Sequence, residues 1–161
     1  MLFDPGVIEP DIYTVLTADV TLSDLLAVDN LPNGYQQGVY AHISPETDPV
    51  SRKPPRFPFI VFTREGSFGA DQITIGKTRV ISTPIYRINV YGMSSGSISM
   101  VQVQSIADRV AALLDGRYVT STNPCILYKR ESTDMVYEDQ GGGRVVFCAT
   151  LLYKITAQVI S

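Results

Sequence analysis

The chain holds one histidine, His42, and two cysteines, Cys125 and Cys148. Nucleophilic catalysis of the Ser–His–Asp or Cys–His kind would need His42 as its base. His42 is expected in a short strand, with no nucleophile elbow to serve. Cys125 and Cys148 are expected on two strands that can be neighbours. One histidine and no C-x-x-C spacing are too few ligands for zinc, so the cysteines read as buried free thiols. Gly76-Lys77-Thr78 has the ending of a phosphate-binding loop. The full pattern needs a glycine at 71, where this chain has Asp71, and a helix afterwards, where the pattern here is that of a strand. Glu131 and Asp134, or Glu138 and Asp139, could form an acid/base pair. They flank the glycines at 141–143, which read as a hairpin tip, and solvated loop charges are the expectation. Neither an enzyme nor a cofactor nor a metal site is expected.

The elements that must position these residues follow from periodicity. Pro10 suits a first helical position, and Ile12, Leu16 and Val20 recur at helical spacing. A second short helix is expected from Thr21, with Asp24 completing a capping box. Val39 to Ile43, Phe59 to Thr63 and Ile85 to Tyr91 read as strands, the last with Tyr86, Ile88 and Val90 on one face. Pro84 suggests an edge or a bulge at the start of that strand. Ser97 to Leu114 is the clearest helix, with Val103, Ile106, Ala107 and Val110 on its apolar side, Ser97 or Ser99 as cap and Gly116 as stop. Cys125 to Arg130 reads as a strand and 130–143 as a loop. Arg144 to Val159 reads as a long strand whose core face is Val145, Phe147, Ala149, Leu151, Tyr153, Ile155 and Ala157. Runs of strands interrupted by one helix predict an α+β fold, a mainly antiparallel sheet with the helices packed on it.

The chain has 161 residues, enough for one domain with a sizeable core, and 1–161 is expected to be one. No run of about 18 apolar residues exists, so no transmembrane helix is expected, and the N-terminus lacks the pattern of a signal peptide. Two cysteines make no disulfide framework, and reduced thiols in a cytoplasmic setting are the expectation. The net charge of -3 conceals an asymmetry. Residues 1–51 carry eight acids and no lysine or arginine, leaving eight acids and all 13 bases for the rest. Such segregation can orient subunits. Arg52, Lys53 and Arg56, in a proline-rich stretch, are candidates to meet Asp19 and Asp24 of a neighbouring subunit. An overall acidic chain argues against a broad nucleic-acid-binding surface.

Several stretches resemble the phage tail-terminator family, the tail-completion proteins of long-tailed phages. They are Ile12 to Leu26, Val39-Tyr40 before Pro45, Phe57 to Phe62, Ile88 to Gly92, Ile106 to Gly116, and Tyr137-Glu138-Asp139 followed by the strand from Arg144. Each is a core pattern without chemistry. Their order and spacing carry the resemblance over most of the chain. The departures are the long stretch from Glu46 to Arg56 and a first helix set back by about ten residues. The resemblance implies a structural protein of the virion neck, assembled in the host cytoplasm. It would form a homo-oligomer, a hexameric ring that ends tail-tube polymerisation and meets the head-tail connector, with genomic DNA passing through its lumen and no membrane partner. A tail-tube subunit or a connector (stopper) protein is the alternative, and a small enzyme or DNA-binding module a more distant one. The segments at 65–80 and 130–143 would then face the adjoining rings through Ser67, Phe68, Asp71, Gln72, Lys77, Arg79, Glu131, Asp134, Glu138 and Asp139.

Overall fold

From Ile85 to Met93 the chain alternates half-buried and buried residues along its whole length. That is the signature of a strand with one face against a core and the other less covered. In the computed structural model the described residues are 5–27, 38–42, 56–65, 74–75, 78–79, 84–94, 99–119 and 125–158. They form α1 (Pro5–Ala18), α2 (Val20–Leu25), β1 (Val39–Ala41), β2 (Phe59–Arg64), β3 (Thr74–Ile75), β4 (Thr78–Arg79), β5 (Ile85–Met93), α3 (Met100–Leu114), β6 (Tyr118–Val119), β7 (Cys125–Gly141) and β8 (Arg144–Gln158). Six strands make one sheet in the order β1-β2-β5-β8-β7-β6, and β3 and β4 make a separate two-stranded ribbon. All neighbours in the large sheet run antiparallel except β1 and β2. The fold is α+β.

The helices pack on one face of the sheet. Ile8, Ile12 and Leu16 of α1, Leu22 of α2, and Val103, Ile106, Val110 and Leu114 of α3 are fully buried against it. Beneath them lie Phe62, Tyr86, Ile88, Val90, Tyr128, Ala149, Leu151, Tyr153 and Ile155. The predicted inward set of β5 is all there, as is the central part of that of β8. The Ser99 hydroxyl accepts from Gln102 N at 3.4 Å, so of the two candidate caps Ser99 starts α3. Gly116 follows it at a φ of +68°, a left-handed stop that glycine adopts without penalty.

Four expectations differ from the structure. α1 begins at Pro5, so Pro10 lies inside it. Pro5 takes the first position, where a missing N–H is harmless, and Pro10 forgoes only the bond to the Gly6 carbonyl. The cap of α2 is Asp19, whose Oδ1 accepts from Leu22 N at 2.7 Å, and Val20 points outward. Pro84 marks no edge, because β5 is central. It stands one residue before the ladder, where its carbonyl accepts from Ile155 N at 3.0 Å and its missing N–H is not needed. The stretch 130–143 is no loop: β7 runs to Gly141 and pairs with β8 almost throughout. A final strand as long as β8 needs a partner of matching length, and Ser132-Thr133 and Met135-Val136-Tyr137 have the shapes that a pleated surface accepts.

Candidate functional site

Three buried tyrosines cross from the sheet to carboxylates on or beside the helices. Tyr86 OH donates to Glu9 Oε1 at 3.3 Å, Tyr128 OH to Asp11 Oδ2 at 2.9 Å and Tyr153 OH to Asp115 Oδ1 at 2.7 Å. Burial, reinforced by the neighbouring carboxylate, pushes all three hydroxyls well above the usual tyrosine range. Each acid has a second, cationic or imidazole partner. His42 Nε2 lies 2.8 Å from Glu9 Oε2, Arg117 Nη2 3.0 Å from Asp11 Oδ1, and Arg130 Nη2 3.1 Å from Asp115 Oδ2. A fourth pair stands apart: Arg109 donates through Nε and Nη2 to the two oxygens of Asp19, at 3.0 and 2.6 Å. The guanidinium holds the Asp19 carboxyl below its usual range.

These pairs revise the meaning of the acid-only N-terminal segment. Glu9, Asp11 and Asp19 meet His42, Arg117 and Arg109 of the same chain. Sequence segregation is therefore resolved in part within one fold. Of the predicted subunit contacts, Asp19 is engaged in this way, Asp24 and Arg56 are exposed, and Arg52 and Lys53 lie outside the described residues.

His42 is the one described non-glycine residue at positive φ, +68°. Its N–H donates to the Phe62 carbonyl at 2.8 Å, and its ring reaches Glu9 on the helix-covered side. So the lone histidine does meet an acid. Cys148 belongs to the opposite side of the sheet, with Tyr91, where its sulfur sits 3.7 Å from Thr150 Oγ1 and burial raises its thiol. The sheet thus separates the thiol from the imidazole. One spacing escaped the sequence reasoning: Gly92-Met93-Ser94-Ser95-Gly96 has the form G-x-S-x-G. Ser94 does follow a strand, but its Oγ accepts from Val145 N at 3.0 Å. His42 sits beside Phe62, which pairs with Ile88 toward the other end of β5, out of reach as a base. Thr78 opens a strand, as the failed phosphate-loop pattern requires. Among the described residues no group of three His, Cys, Asp or Glu is placed to hold a metal ion.

The face of the sheet away from the helices carries a different chemistry. Tyr40, Phe57 and Tyr91 surround Phe59 with ring centroids 5.0 to 5.9 Å away. Beside them, Thr150 Oγ1 donates to Asn89 Oδ1 at 2.9 Å, and Asn89 Nδ2 donates to Tyr91 OH at 3.1 Å. An open cleft of about 660 Å³ lies between Phe57, Met93 and Val146 and the β7–β8 turn, with Arg144 at its rim.

No family model matches the sequence, and no curated protein matches it. Among solved structures, the chain is similar to one in the virion of a native gene transfer agent (GTA) particle. The two are 12% identical, the likeness covers 91% of this chain and 92% of that one, and the TM-score is 0.47.

The β7–β8 hairpin gathers four of the predicted contact residues. Glu131, Asp134, Glu138 and Asp139 are all exposed on β7. Register places Asp134 and Glu138 on the open face, opposite Thr150 and Val146, and Asp139 on the other, opposite Val145. Glu131 is the extra residue of a bulge between Arg130 and Ser132. Arg79 lies on β4; Ser67, Phe68, Asp71, Gln72 and Lys77 lie outside the described residues. At the tip, Gly142 and Gly143 have φ of +62° and +78°, as a two-residue turn matching the sheet's twist requires. Sequence reasoning missed Val136 and Tyr137 as exposed apolar residues of a strand edge, although their β-prone types were the available signal.

Proposed function

We propose that this chain is a structural protein of the virion of a long-tailed phage, a subunit of a ring that closes the tail tube and joins it to the head connector. The observation that carries this reading is where the resembling stretches fall. They map onto α1 and α2, β1, β2, β5, α3 and the β7–β8 turn, in that order, and so span every layer of the fold. In this reading six copies surround a lumen through which DNA passes, and the tail-tube and connector proteins are the partners above and below. Heterologous head-to-tail contacts close such a ring only at one rotation per subunit.

The chain carries no catalysis in this reading. His42 and Glu9 form the dyad that an enzyme would need, but the imidazole is about half exposed and is bonded into the junction of α1 with the strand edge. The exposed β7–β8 turn, with Glu138 and Asp139, is the part offered to an adjoining ring. The test is electron microscopy of particles made without this protein. Overlong or headless tails are expected. Normally joined virions would overturn the reading, and absent tube would move it to the tail-tube subunit.

A further inference from the structure

We propose that, off the virion, two copies of this chain pair through the outer edges of β7, antiparallel about a two-fold axis, with the basic end of one strand against the acidic end of the other. Among the described residues, β7 is covered on its outer side only at its beginning. Tyr118 and Val119 of β6 pair with Leu127 and Ile126, and Tyr128 turns both its N–H and its carbonyl outward, to Arg117 and Gly116. From Lys129 to Gly141 that side meets no strand among the described residues. At the far end Val145, the partner of Asp139, bonds toward Ser94 of the β5 side, so Asp139 again faces outward. Strand alternation then turns the backbone groups of Thr133, Met135 and Tyr137 outward as well. A row of N–H and carbonyl groups that no strand pairs among the described residues is a template for another strand. Val136 and Tyr137, 59% and 72% exposed, stand on it.

The charge order selects the occupant and its direction. Lys129 and Arg130 lie at one end of the exposed edge, and Glu138 and Asp139 at the other. A parallel partner of the same sequence would bring like charges together, which is destabilising across strands. An antiparallel copy centred on Met135 sets Arg130 opposite Asp139, Thr133 opposite Tyr137 and Asp134 opposite Val136, with the Glu131 bulge absorbed between Arg130 and Ser132. Arg130 and Asp139 both belong to the helix-covered side of the sheet, as their partners Tyr153 and Val145 show. Every contact occurs twice, as in any isologous interface. Neighbours in a six-fold head-to-tail ring cannot use such an axis. The pairing therefore belongs to the free chain, covers the edge there, and must open before a ring of that symmetry forms.

The test is the mass of the full chain by light scattering during size exclusion, at micromolar concentration. A dimer is expected. R130E, which also takes the cationic partner from Asp115, and D139K should each raise the dissociation constant tenfold or more while far-UV circular dichroism shows each variant folded. Mixing the two variants should restore a dimer, because the new carboxylate of one then faces the new ammonium of the other. The R130E/D139K double variant should also dimerise. Tyr137→Pro removes an outward N–H without touching the β8 ladder and should give a folded monomer by far-UV circular dichroism. A wild-type monomer overturns the pairing. So does a dimer or hexamer whose mass the two charge reversals leave unchanged, an outcome that leaves the ring reading intact. A charge-dependent dimer together with normal virions made without the chain supports the pairing and defeats the ring.

Discussion

Arg109 of α3 grips Asp19 with two donors while the same carboxylate caps α2, so one side chain between α1 and α2 fixes both to the long helix. Asp19 is 14% exposed and Arg109 37%, so the pair is only partly open to screening. Replacing Asp19 by alanine should remove the cap, a loss of about 1 kcal/mol, together with the guanidinium's partner. Asp19→Asn keeps a capping oxygen and should fall between wild type and alanine. Urea unfolding midpoints check the order.

The same carboxylate predicts an acid limb of stability. Its folded pKa is lowered by Arg109, so the folded state binds this proton less readily than the unfolded chain. The stability it contributes is present above the unfolded value, about 4, and is lost as pH falls through the lowered folded value. Urea midpoints between pH 6 and pH 2 should therefore decline more in wild type than in Asp19→Asn. Parallel curves would show that the pair is not formed in solution.

Tyr86, Tyr128 and Tyr153 predict the alkaline limb. Their folded pKa values are raised by burial, so their contribution is complete below the unfolded value of about 10 and is lost as pH rises beyond it. In an ultraviolet titration, at least three of the nine tyrosines should stay protonated until the chain unfolds. Tyr128→Phe should cost about 1 kcal/mol, since Asp11 retains Arg117 when the hydroxyl is gone. Nine tyrosines ionising together near pH 10 in a folded chain would contradict the three ties.

The core of α3 gives the largest expected single effect. Ile106 is fully buried between the helix and the sheet. Ile106→Ala should lower stability by about 2–5 kcal/mol, the transfer term plus the cavity left behind. Val101→Ala on the solvent side of the same helix should change little, and thermal melts of the two variants check the contrast.

Much of this fold is readable from spacing alone, because the deciding forces are local. The alternation of Tyr86, Ile88 and Val90, and that of Ala149, Leu151 and Tyr153, reports a face, and Ser99 and Gly116 report the two ends of a helix. The length of β7 was not readable, because Glu131 and Asp134 look like loop residues until β8 supplies them with a partner. Nor were the ion pairs. Asp11–Arg117 and Asp19–Arg109 join positions about a hundred residues apart, and no period in the chain encodes which acid meets which base. The charge split in the sequence therefore suggested contacts between subunits where the fold makes several within one. His42 shows the converse: its acid partner, Glu9, was among the residues counted, but only the junction of α1 with β1 brings the two together.

The glycine tip of the β7–β8 hairpin yields a prediction that separates conformation from contact. Gly142 and Gly143 are left-handed, and a Cβ added at either would meet nothing within 4 Å. Alanine there is penalised by backbone conformation alone, about 1–2 kcal/mol per residue. Asparagine, which tolerates the left-handed region, should cost less. If the tip also serves as a ring contact, the G142N/G143N double variant should fold with near-native stability yet impair head joining. Complementation of particles lacking the protein, scored by electron microscopy, reads the second effect, and a melting curve reads the first. Full complementation by this variant would remove the tip from the contact surface while leaving its role as a turn intact.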